Sequence, residues 1–266
     1  MTISAKVIAA SAHNGYKIAT LELVYPRFIH SEFMTHRMFS RNASSSRAIP
    51  FKAMVQQIID DVAMPVEWGK EQKGMQARET IDPDRVYGAE GVWRSASLAA
   101  VQFATMLSED YRVHKQVANR ILEPFLHIRV VCTATEWDNF FRLRLHPDAQ
   151  PEIRVLAERM KEALDSAEYK DCVYGEWHLP YVGEELELMD TWDKVLISAA
   201  RCARVSYRRS DGAMSDYKSD IALATRLMLD KHLSPFEHMA RPAEVRGGRA
   251  ANFVGWESYR YALLDN

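Results

Sequence analysis

The chain has 266 residues, 47% of them hydrophobic and 26% charged, with a formal net charge of −2. That balance is ordinary for a globular protein, gives no electrostatic footprint for a nucleic acid polymer, and leaves no run near the roughly 20 apolar residues that span a bilayer. The first 25 residues lack the basic-then-apolar layout of a signal peptide. Cys132, Cys172 and Cys202 are too few and too scattered for a disulfide framework or a zinc site. A reducing cytoplasm is the expected location, with no membrane partner.

Residues 4–12 and 17–25 read as two strands, because Asn14-Gly15 between alternating apolar runs is a hairpin signal. Pro26 opens an expected helix to about Ser40, with Phe28, Ile29, Phe33 and Met34 on one face. Residues 41–90 look irregular apart from a helix near 52–62, and Gly74 to Asp84 reads as a mobile polar loop. Helices are expected at 92–110 and 113–126, a strand around Val130, Val131 and Thr133, and helices at 135–145 and 151–168. Residues 169–190 hold Gly175, Pro180 and Gly183 without periodicity and read as a linker. Beyond it, helices at 191–205 and 215–232 precede a strand at 239–247 and a last helix near 252–264. Mixed helices and antiparallel strands argue for an α+β fold, an antiparallel sheet packed with helices.

The densest chemistry lies in Thr35-His36-Arg37-Met38-Phe39-Ser40-Arg41-Asn42-Ala43-Ser44-Ser45-Ser46-Arg47. Three guanidinium groups, an imidazole, an amide and several hydroxyls crowd together there. A core has no use for so many donors, whereas a bound anion does: Arg offers a planar fork to phosphate oxygens. The order resembles the signature of flavin-dependent thymidylate synthases, Arg-His-Arg-x-x-Ser-x-Asn-x-x-Ser-x-Arg. It matches at His36, Arg37, Ser40, Asn42, Ser45 and Arg47 and departs at Thr35.

Three further segments are similar to that family. They are Asn139 to Arg144 followed by Asp148-Ala149-Gln150-Pro151-Glu152-Ile153, then Ala199 to Tyr207, and then His232-Leu233-Ser234-Pro235-Phe236-Glu237-His238. The last two normally precede the Arg/Ser segment, and here they follow it. The resemblance therefore implies a circularly permuted domain over 1–266: 1–168 carries the nucleotide-binding part and 191–266 the part that is normally N-terminal. Such a permutant folds when the old termini lie close together.

The resemblance also implies the chemistry, reductive methylation of dUMP to dTMP. Methylenetetrahydrofolate would give the carbon, reduced FAD the hydride, and NADPH the electrons for the flavin, within a homotetramer whose active sites lie at subunit interfaces. Ser45 and Arg47, with Ser46, would hold the dUMP phosphate and sugar, and Arg120 is similar to a family arginine that reaches the nucleotide. Arg144 would face the pyrimidine, with Ser45 in an orienting role. His36, Arg37, Asn139, Ser206, His232, Ser234 and Glu237 would serve the flavin. Phe28 to Thr35 aligns faintly with Phe253 to Arg260, so Arg260, beside Glu257, is a candidate for the guanidinium missing at position 35. Pro235 separates His232 from His238, and no metal is expected.

Ala43, Ala48, Thr133 and Asp148 stand where the family often has Glu, Tyr, Asn and His. These departures keep two alternatives open: a pyrimidine nucleotide (dUMP or dCMP) hydroxymethylase, and a non-catalytic nucleotide-binding subunit.

Overall fold

The structure, a computed structural model, describes residues 3–207 and 215–264. Strands β1 (Ser4–His13) and β2 (Tyr16–Pro26) form the expected hairpin. Asn14 and Gly15 both take positive φ, 48° and 86°, as a two-residue turn matched to strand twist requires. The register shifts between Val7 and Ala9, a bulge that bends β1.

Helix α1 (His30–Met34) follows a 3-10 turn at Arg27–Ile29 and stops six residues short of the expected Ser40. Its last carbonyls are taken by side chains: Thr35 Oγ1 donates to Glu32 O at 2.7 Å, and the Arg41 guanidinium donates to Met34 O at 2.9 Å. The chain then runs into β3 (Ser40–Ala43), a strand the apolar pattern did not reveal. Next come α2 (Phe51–Asp60) and α3 (Pro83–Glu109), the latter beginning nine residues earlier than expected, with Pro83 in its first turn.

The single helix expected at 113–126 is instead α4 (Lys115–Ala118) followed by 3-10 turns at Asn119–Ile121 and Glu123–Phe125. Pro124 supplies no N–H to a continuing helix. Asn119, fully buried, turns its amide away to the carbonyls of Ser46 (2.7 Å) and Ile49 (3.1 Å). Strand β4 (His127–Ala134) and helices α5 (Asp138–Arg144) and α6 (Pro151–Asp165) match the sequence reading.

The segment read as a linker carries β5 (Lys170–Asp171) and a 3-10 turn at Glu184–Leu186. Helices α7 (Thr191–Ala203) and α8 (Tyr217–Leu229) follow, and the expected strand shrinks to β6 (Ala240–Pro242). The last expected helix is largely replaced by β7 (Arg249–Ala250), β8 (Phe253–Val254) and β9 (Trp256–Ser258), leaving only α9 (Tyr259–Leu264). Gly255 explains this: its φ is +73°, and a Cβ there would meet the Tyr16 ring at 2.5 Å.

The main sheet has the order β3-β4-β2-β1-β5, antiparallel throughout except for the short parallel pair β1–β5. Both of its faces are covered. On one, Ala19, Leu21, Leu23 and Tyr25 of β2 alternate inward with Ile128, Val130 and Cys132 of β4. They meet Ile153, Leu156, Ala157, Met160 and Leu164 of α6, spaced as one helical stripe. The opposite residues of β2 (Ile18, Thr20, Glu22) face residues 172–256. No described helix is long and apolar enough to cross a membrane.

Candidate functional site

Segments from four distant parts of the chain converge on the β3 edge of the sheet. Strand β3 pairs with β4 from Ser40 opposite Thr133 to Ala43 opposite Val130, and so carries the Arg/Ser motif past the sheet edge. The 3-10 turn Arg204–Tyr207 packs on β3 and β4, and the 3-10 turn Ser234–Glu237 packs on β3. Two side-chain contacts fix the junction. The Ser45 N–H donates to Ser206 Oγ at 2.8 Å, and Arg144 Nε, in the last turn of α5, donates to His36 Nε2 at 2.9 Å.

The second contact defines a protonation state. A guanidinium only donates, so Nε2 of His36 accepts and the ring proton sits on Nδ1. Burial, then the cations Arg144 and Arg41, push the His36 pKa down to about 4. The ring stands edge-on to Phe140, with centroids 4.8 Å apart. Arg144 Nη2 also reaches Thr35 Oγ1 at 3.3 Å. At the position where the motif departs from the family, the hydroxyl accepts a guanidinium that a second arginine would repel.

Around this junction Arg37, Ser45, Arg47, His232 and Ser234 are exposed. Among the described residues, Arg37 and Arg47 make no ion pair. Other candidates are held internally. Ser46 is buried, and its hydroxyl donates to Glu123 Oε1, which also accepts from Arg120 Nη1 at 2.8 Å and pairs with Arg27 Nη2 at 3.3 Å. Asn139 accepts from Arg142 at 2.7 Å. Glu237 pairs with Arg260, and Glu257 pairs with Arg241 at 3.1 Å. Arg260 and Thr35 thus have different partners, and the two aligned segments differ in structure: Phe28-Ile29 is a 3-10 turn, Phe253-Val254 a strand.

The sequence reading missed Glu123. Its only local signal is its place three residues after Arg120, where two turn residues can pair. Also missed was a buried polar chain behind the motif. Ser11 Oγ lies 3.0 Å from His178 Nδ1, and Thr20 Oγ1 lies 2.8 Å from His178 Nε2 and 2.7 Å from Thr133 Oγ1. Thr133 Oγ1 is in turn 2.8 Å from His238 Nδ1. Burial pushes both imidazoles to about 3, so both are neutral. Among the described residues His238 Nε2 has no hydrogen-bond partner. The direction that leaves no buried donor unpaired therefore runs from His238 Nδ1–H through both threonines to His178, ending at Ser11. Thr133, which replaces a family Asn, is committed to this chain.

Beside Ser206 lies a cleft of about 250 Å³ lined by Ser44, Gln57, Asp61, His127 and Arg129 among others. His127 Nδ1 is 3.7 Å from Asp61, and burial lowers its pKa. Arg129 is held by Glu22 at 3.6 Å, which also accepts from the Tyr181 hydroxyl at 2.9 Å.

A helix-covered sheet carrying this motif on its edge strand defines a flavin-dependent thymidylate synthase-like fold. Residues 16–167 match the family model described as thymidylate synthase complementing protein, and the chain belongs to that family. The segments at 199–207 and 232–238 lie beyond the matched region. Among solved structures, the UMP/dUMP methylase PolB from Streptomyces cacaoi bound with 5-Br UMP superposes with a TM-score of 0.51 at 16% identity. That match covers 61% of this chain and 88% of the other. Thymidylate synthase X from Helicobacter pylori with FAD and dUMP gives a TM-score of 0.40 at 14% identity, covering 55% and 67%. No curated protein sequence matches significantly.

Proposed function

We propose that this chain methylates the pyrimidine of a uridine monophosphate, dUMP in the first instance, using FAD, methylenetetrahydrofolate and NADPH. The supporting observation is the convergence at β3, where the Ser45–Ser206 and Arg144–His36 contacts join segments that composition alone would leave unrelated. The donor set suits two anions, a nucleotide phosphate and a cofactor diphosphate: exposed Arg37 and Arg47, with hydroxyls at Ser45 and Ser234.

In this reading Ser45 and Arg47 grip the phosphate and Ser45 orients the nucleotide. Arg144 supplies a fixed cation beside the ring, where negative charge develops on addition. His36 is neutral at pH 7, so it orients Arg144 without competing with it. Arg37, Asn139, Ser206, His232, Ser234 and Glu237 contribute to the cofactor side, while Ser46 and Arg120 shape the phosphate side through Glu123. Glu257 and Arg260 act through their ion pairs with Arg241 and Glu237. When bound, reduced flavin supplies the hydride. Cys132 is no nucleophile here: it is fully buried and burial pushes its thiol far up.

The same reading places residues 191–266 as the normally N-terminal part of a permuted domain, within a homotetramer. The experiment is an absorption spectrum of the purified protein, followed by turnover of dUMP and UMP with methylenetetrahydrofolate, NADPH and FAD, read by product mass. A flavin spectrum bleached by NADPH together with dTMP is the expected result. A product heavier by one oxygen would make the chain a hydroxymethylase, and tight dUMP binding without turnover would make it a nucleotide-binding subunit.

A further inference from the structure

Helix α3 (Pro83–Glu109) is about 40 Å long and buries only one side. Ser97, Ala100 and Ala104 are buried, and Trp93 and Val101 join the cluster of Met54, Ile58 and Leu122. The outward side is unlike a solvated helix face. Val92 is 72% exposed, Phe103 58% and Met106 39%. From Gly91 to Ser108 the sequence holds a single charged residue, Arg94. Solvated helices carry interspersed charges, and a contiguous apolar strip of this length marks an interaction surface.

The strip has a register. Ala89, Val92, Ala96, Ala99, Phe103 and Met106 recur at alternating spacings of three and four, the seam spacing of helices that pack along their length. One step beyond each end of that repeat stand opposite charges, Arg85 before it and Asp110 after it. A parallel pairing with a second copy would set Arg85 against Arg85, Phe103 against Phe103 and Asp110 against Asp110. An antiparallel pairing centred between Ser97 and Leu98 sets Arg85 against Asp110 at both ends. Within the seam it sets Ala89 against Met106, Val92 against Phe103 and Ala96 against Ala99, so that layers of larger and smaller side chains fit together. Among the described residues the Arg85 guanidinium otherwise has only an exposed pairing with Asp82 at 3.7 Å, worth little in water.

We propose that α3 pairs antiparallel with α3 of a second copy of this chain about a two-fold axis at Ser97–Leu98. The inference stands apart from the proposed chemistry, since it uses no residue of the β3 junction. It has one consequence for that junction. The buried side of α3 packs on the turn Asn119–Ile121, whose Asn119 amide holds the Ser46 and Ile49 carbonyls. The pairing therefore backs the element that holds the motif loop.

The test is the mass in solution at micromolar concentration, by light scattering or sedimentation. The full chain should be an even-numbered oligomer, and Phe103→Glu should halve its mass while leaving its far-UV circular dichroism spectrum unchanged, because Phe103 is exposed in the single chain. Arg85→Asp should weaken association and Arg85→Asp with Asp110→Arg should restore it. Orientation is read by cross-linking, with the native cysteines silent because all three are buried. Mixed Ala96→Cys and Ala99→Cys chains should form a disulfide dimer. Phe103→Cys chains should not, since the two sulfurs would lie about 16 Å apart along the axis. A monomeric wild type, an oligomer indifferent to Phe103→Glu, or a Phe103→Cys homodimer would each overturn the proposal.

Discussion

The two faces of the main sheet are held by different physics. Toward α6 the strands present Leu21, Leu23, Tyr25, Val130 and Cys132, all fully buried against Leu156 and Met160. Toward the C-terminal third the same strands present Ser11, Thr20, Glu22, Arg129 and Thr133, each tied by hydrogen bonds or an ion pair. Further out on that side Asp220, with no exposed surface, accepts from Arg201 Nε at 3.1 Å, Arg204 Nε at 2.9 Å and Ser215 Oγ at 2.6 Å. An apolar face repacks around volume-conserving changes and is indifferent to pH. A polar face tolerates few misfits, because each buried group without its partner carries its whole desolvation penalty. The candidate site lies at the edge where the two faces meet, so its geometry depends on the more demanding one.

The largest way to break the comparison is to remove one partner on each side. Asp220→Ala leaves the Arg201 guanidinium buried without its carboxylate and is expected to cost about 3–5 kcal/mol. Leu156→Ala on the apolar face is expected to cost about 2–5 kcal/mol through lost transfer energy and a cavity. The two losses overlap in size and are both read from the urea midpoint at neutral pH. An Asp220→Ala loss below 1 kcal/mol would mean that the buried ion pairs are not formed in solution.

The second effect is acid destabilisation through His178 and His238. Their folded pKa values are near 3 against an ordinary 6.5, so the native state favours the neutral rings. The stability they contribute is complete above pH 6.5 and is lost as pH falls from there toward 3. Each unit costs at most about 1.4 kcal/mol per histidine. His30 and His36, lowered to about 4, add to the upper part of this window, and His127, also lowered, acts in the same direction. The imidazole resonances of His178 and His238 should therefore remain those of neutral rings as pH falls through 6.5. Ordinary titration of either ring near 6.5 would remove the polar chain from the account of this face.

What the sequence made legible follows the same division. The β1–β2 hairpin, β4 and α6 were readable because an apolar face writes its periodicity locally, at spacings of two or three and four. The Arg/Ser motif was readable because its residues are contiguous. Thr20 and Glu22 are the polar members of the alternating strand β2, yet they are covered by His178 and Tyr181, more than 150 residues away. Glu123 went unread as the partner of Ser46 for the same reason: a contact across 77 positions leaves no trace in either neighbourhood. Helix 113–126 and the last helix failed where one residue, Pro124 or Gly255, overrode an otherwise helical pattern.

The smallest expected change in stability tests the junction itself. Arg144→Met keeps most of the aliphatic stem and removes the charge, and since Arg144 is half-exposed the global cost should stay within about 0.5 kcal/mol. The effect on His36 should be distinct. Burial is the larger cause of its low pKa and Arg144 the next, so the variant should titrate above 4 but still below 6.5. The acid window to which His36 contributes would narrow from its lower end. If the His36 resonance titrates identically in both proteins, Arg144 does not sit on that ring in solution, and the cation assigned to the pyrimidine must be sought elsewhere. If it shifts while dUMP affinity falls, one contact links the packing of α5 to the chemistry at β3.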